Sequence, residues 1–105
     1  MNERDQSILN QFADEVRKQI PNAQIWAFGS RARGDAQPDS DLDICVVVED
    51  ITPESRRVIS YIAWETGFEN DLLITTLKYS REQFENSPRL SSPLFHAIRT
   101  EGVPA

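Results

Sequence analysis

Cysteine and histidine are almost missing from this chain, where Cys45 and His96 are the only examples of each. A single cysteine cannot close an internal disulfide, and its place within the apolar run 44–48 marks it as a buried, unreactive thiol. The lone histidine has no sequence partners that suggest a zinc set or a nucleophile triad, so it reads as a surface or structural group. No apolar run approaches the roughly 20 residues that a bilayer-spanning helix requires, and the opening Met1-Asn2-Glu3-Arg4-Asp5 is too polar for a signal peptide. A cytoplasmic protein without a membrane partner is therefore expected. Basic residues are also scarce, 11 against 17 acidic ones, for a net charge of -6. Proteins that grip polynucleotide backbones usually present a basic face, which makes direct binding of long nucleic acid a poor expectation. A small phosphorylated ligand escorted by a divalent cation fits better, because the metal supplies the missing positive charge.

What is present is ordinary for a globular protein. An apolar fraction of 39% and a charged fraction of 27% exclude disorder as the default, and 105 residues suffice for one core, so residues 1–105 are expected to form a single domain. Over residues 4–20, Ile8, Leu9, Phe12, Val16 and Ile20 share one helical face, and Pro21 stops the run. Residues 23–28 are apolar on both alternating faces, as in a strand inside a sheet. Residues 30–34 allow about one helical turn, 35–40 a loop, and 42–48 a second strand. Thr52-Pro53-Glu54 is a strong helix start, with Val58, Ile59, Ile62, Ala63 and Thr66 as its buried stripe and Gly67 as its stop. A third strand is expected over 71–77. A short helix follows from the capping box at Ser80 and Gln83, and a last one from Ser92-Pro93 to Gly102. This order predicts an α/β (α+β) fold: a small mixed sheet flanked by helices.

The chemistry concentrates between Gly29 and Ile44, in GSRARGDAQPDSDLDI. At the junction of a strand and a helical turn, Gly29 lets a phosphate approach free backbone N–H groups, Ser30 adds a hydroxyl, and Arg31 and Arg33 add positive charge. Strand alternation places Asp41, Asp43, Cys45 and Val47 on one face. Asp43 lies within an apolar strand pattern, where an unpartnered carboxylate is expensive unless it meets a cation. Two carboxylates of this kind suit Mg²⁺, which takes one or two carboxylates together with water and phosphate oxygens. A two-metal transfer wants a third carboxylate that also accepts a proton from the attacking hydroxyl. Asp71, at the head of the expected third strand, is the candidate, and Glu69 is its rival.

The joint pattern, Gly29-Ser30 followed after ten residues by Asp41-Leu42-Asp43, closely resembles the minimal nucleotidyltransferases of the DNA polymerase beta-like superfamily. The closing SPLFHAIRTEGV is similar to the usual end of that family. The resemblance implies a polymerase beta-like nucleotidyltransferase fold and a triphosphate held by Gly29, Ser30 and Arg33. It further implies two Mg²⁺ ions on Asp41, Asp43 and Asp71, with ATP as substrate. Many proteins of this size in the family look like the antitoxin half of HEPN-MNT toxin-antitoxin pairs, which implies transfer of AMP to a tyrosine of a HEPN-type toxin within a hetero-oligomer. A noncatalytic module that silences its partner by binding alone is the competing expectation.

Overall fold

The computed structural model describes residues 1–86 and 93–105. The elements run α1 (Glu3–Gln19), β1 (Gln24–Phe28), α2 (Gly29–Arg33), β2 (Leu42–Val48), α3 (Pro53–Glu69), β3 (Ile74–Ser80), α4 (Arg81–Asn86), α5 (Pro93–Glu101) and β4 (Val103–Pro104). The sheet order is β3-β2-β1-β4. β2 pairs antiparallel with β1 and parallel with β3, while β1 pairs antiparallel with β4. This is the mixed sheet expected from the element order.

Alternation along β2 divides the core into two layers. Leu42, Ile44, Val46 and Val48 meet Ile8, Leu9, Phe12 and Val16 of α1 and Ile59 and Ala63 of α3. Cys45 and Val47 face the other way, toward Phe84 of α4 and Phe95 and Ile98 of α5. Each fully buried Leu, Ile, Val or Phe contributes roughly 1.5–3 kcal/mol relative to exposure, so β2, buried almost throughout, is the axis of the molecule.

The local signals act as expected at several ends. Thr52 and Ser55 form a reciprocal capping box with Pro53 in the first turn of α3. Ser80 and Gln83 do the same at α4, each accepting from the other's backbone N–H, at 3.1 and 3.0 Å. Two expectations need correction, and one strand is unexpected. α3 runs past Gly67 to Glu69; a Cβ at Gly67 would stand 2.6 Å from the Leu72 carbonyl, so this glycine permits a close return of the chain rather than stopping the helix. β3 begins at Ile74 rather than at residue 71, because the chain first turns through Asp71, whose φ is 58°, with the Leu72 N–H bonded back to Gly67. β4, too short to show a pattern, adds an edge to β1 with Pro104 where an edge strand tolerates it. Leu90 and Ser92 lie outside the described residues.

Candidate functional site

The antiparallel pairing of β1 and β2 sets Phe28 opposite Asp43. The Gly29 turn, which ends β1, therefore meets the carboxylates that begin β2, although Gly29 and Asp43 are separated by the intervening loop in sequence. Gly29 has φ of +76°, and a Cβ there would lie 2.6 Å from Oδ2 of Asp43. Glycine is required twice, by the backbone angle and by the carboxylate beside it. α2 starts at Gly29 with no side chain capping its first turn, and Ser30 is half-buried beside it.

Asp43 is half-buried, on the sheet face that carries Cys45 and Val47 farther along. Its Oδ1 accepts a hydrogen bond from the hydroxyl of Thr75, the residue directly opposite it on β3. Asp41, also half-buried, stands just before the strand. Between the two, the Leu42 N–H bonds the Leu73 carbonyl at 2.9 Å.

The two arginines part company. Arg33 is exposed, 3.3 Å from Asp35 and 3.7 Å from Glu101, and its charge is reachable from solvent. Arg31, expected to contact phosphate, turns inward. Its Nη1 donates to both Asp5 carboxylate oxygens at 3.2 Å, Nε to the Ser40 carbonyl at 2.7 Å, and Nη2 to the Pro38 carbonyl at 3.0 Å. Buried and engaged on all three nitrogens, it pins the loop that delivers Asp41. Asp5 is thereby a structural residue that the sequence reading passed over. It continues the apolar face of α1 one turn ahead of Ile8 and Leu9, and a carboxylate on such a stripe signals a buried cationic partner.

Asp71 sits in the turn between α3 and β3, beside a cavity that it lines with Trp64, Phe68 and Leu73. Glu69 is turned to α1, accepting from Gln11 at 2.8 Å. Among the described residues, no three acidic, histidine or cysteine side chains gather into a group able to hold a metal. The structure sets Gly29 against Asp43, with Ser30 and Asp41 beside them in sequence; among the described residues neither Asp71 nor Glu69 completes a three-acid cluster with Asp41 and Asp43. The oxygen donors of Asp41 and Asp43, the latter seated close against a glycine that has no side chain to displace it, suit one hard, oxygen-seeking cation such as Mg²⁺.

Among the described residues, no helix is long and apolar enough to cross a membrane. Two curated proteins match part of the chain. "Probable protein adenylyltransferase MntA" of Haemophilus influenzae is 40% identical over 35 residues, 33% of this chain and 31% of that protein. "Protein adenylyltransferase MntA" of Thermococcus cleftensis is 44% identical over 46 residues, 44% of this chain and 46% of that protein. The matched stretch thus spans less than half the length of either relative. Among solved structures, a toxin-antitoxin protein with AMP-PNP superposes with a TM-score of 0.65 at 22% identity, covering 90% of this chain and 69% of that one. A chain from the complex of a tri-AMPylated Shewanella oneidensis HEPN toxin with its MNT antitoxin gives 0.58 at 20% identity, covering 95% and 70%. At these identities the superpositions establish a shared fold. The model of the nucleotidyltransferase domain matches residues 9–99, nearly the whole length, and the chain belongs to that family.

Proposed function

We propose that the chain is a protein adenylyltransferase, moving AMP from ATP to a tyrosine hydroxyl of a HEPN-type toxin and acting as its antitoxin in the cytoplasm. The observation that carries this reading is the meeting of Gly29 with Asp43, which joins a phosphate-accepting turn to a cation-binding carboxylate. The names of the curated relatives and the AMP-PNP and AMPylated-toxin complexes among the fold neighbours support the choice of nucleotide and acceptor.

In this reading Gly29 and Ser30 cradle the triphosphate, Arg33 neutralises part of its charge from the rim, and Asp41 and Asp43 hold Mg²⁺. Magnesium, when bound, stabilises charge on the transferred α-phosphate. The acceptor oxygen bonds to the α-phosphorus as the bond from that phosphorus to the bridging oxygen breaks, and pyrophosphate leaves. The phenolic proton passes to solvent water. A phenol, with an ordinary pKa near 10, needs less help from a base than an aliphatic hydroxyl does. Catalysis then comes mainly from positioning and from preorganised charge.

Incubating the chain with α-labelled ATP, Mg²⁺ and a HEPN-type partner tests the proposal. Label on a partner tyrosine is the expected result. Silencing of the partner without label would replace it with the reading of a noncatalytic binding module.

A further inference from the structure

Thr75 occupies a place that neither Asp71 nor Glu69 reaches. In the parallel register Asp43 pairs with Thr75 and Ile44 with Thr76, and alternation turns Thr75 to the same sheet face as Asp43. A carboxylate meant to share a cation with Asp43 from the neighbouring strand would project from this position. The side chain there is a neutral hydroxyl, and it donates to Asp43 Oδ1. Asp71 lies four residues earlier in a left-handed turn, and Glu69 is held against α1. The described residues thus supply two carboxylates and one hydroxyl at the site, with no third acid.

We infer that Thr75 stands where a third carboxylate would complete a two-cation centre, and that this site holds a single divalent cation on Asp41 and Asp43. Thr75 is then a positioning residue, fixing the rotamer of Asp43 from one side while Gly29 leaves room on the other. A hydroxyl adds no negative charge, so nothing at this position favours a second divalent ion. Outer partners of metal ligands commonly set metal affinity by tenfold or more. The inference rests on the metal-dependent reading given above, but it concerns the number of ions and does not depend on turnover.

Mn²⁺ binding, followed by calorimetry and electron paramagnetic resonance, provides the test. It is measured on the whole chain with saturating α,β-methylene-ATP, whose bridging carbon prevents transfer, and corrected for the nucleotide alone. The wild type is expected to retain one ion per chain and Thr75→Asp two. Thr75→Val should keep one ion with about tenfold weaker affinity, Thr75→Ser should restore wild-type affinity, and Asp71→Asn should change neither number nor affinity. Thermal melting of each variant checks that the fold persists. Two ions on the wild type, one on Thr75→Asp, or a loss of ions in Asp71→Asn would overturn the Thr75 assignment while leaving the metal-dependent reading standing. No retained Mn²⁺ on the wild type would overturn both.

Discussion

Oδ2 of Asp43 lies 2.6 Å from the point where a Cβ on Gly29 would sit. Two residues that are distant in sequence are thus fitted to each other by the antiparallel pairing of β1 and β2. Gly29→Ala would push the carboxylate aside and strain a backbone held at φ of +76°, a conformation that costs a side-chain-bearing residue roughly 1–2 kcal/mol. The expected outcome is a folded but less stable protein that has lost metal-dependent nucleotide binding. Calorimetry with Mn²⁺ and nucleotide, beside a thermal melt, reads both effects.

Asp43→Asn keeps the volume and still offers Thr75 an oxygen to bond, so the fold should survive. Removing the negative charge takes away a cation ligand, and transfer is expected to fall by at least about a hundredfold, the scale seen when preorganised charge stabilisation is lost. A labelled-ATP assay at matched stability checks this. Transfer at the wild-type rate would remove Asp43 from the site.

The buried pair of Arg31 and Asp5 predicts a different signature from exposed Arg33. Removing either member of a buried ion pair strands the other, a loss of roughly 3–5 kcal/mol. Arg31→Ala and Asp5→Ala should each lower the melting temperature sharply, and the double variant should lose less than the sum. Arg33→Ala should leave stability nearly unchanged and raise KM for ATP about tenfold, in line with one charge-assisted contact of roughly 1.5–3 kcal/mol. Denaturation and steady-state kinetics separate the two arginines.

Burial pushes the Cys45 thiol up to about 12, from an ordinary value of 9.0. The folded state therefore favours the protonated thiol. The resulting stability is fully present below about pH 9 and is lost as pH climbs from there toward 12, at about 1.4 kcal/mol per pH unit. Wild type should lose stability faster than Cys45→Ala above pH 9, as read from urea midpoints. In the native state the thiol should resist alkylation at neutral pH.

Where the sequence was legible, periodicity and capping chemistry made it so. The apolar stripe of α1, the capping boxes at Thr52 and Ser80, and the alternation that turns Asp43 with Cys45 are all written in local residue order. The same holds for the Gly29 turn at the end of a buried strand. What local order cannot express is register and partner choice. Asp71 looks like the head of a strand, yet four residues, 70–73, separate the end of α3 from the start of β3, and this moves Thr75 opposite Asp43. Arg31 and Arg33 look equivalent two residues apart, but a one-turn helix sends them to different environments, and the partners of the buried one, Asp5 in α1 and the Pro38 and Ser40 carbonyls, are set by tertiary structure.

Asp5 and Arg31 together have a consequence for the motions of the loop ahead of β2. The Pro38 and Ser40 carbonyls are tied to a guanidinium whose charge is met by Asp5 of α1. Swinging that loop outward would strip two carbonyl acceptors from a buried guanidinium that stays paired with Asp5, so its opening carries the cost of unsatisfied buried donors. The Ser40 amide, bonded to Gln37, should then exchange with deuterium more slowly than that of an untethered surface turn. The backbone that leads into Asp41 is thereby tethered through its neighbour Ser40 before any ligand arrives.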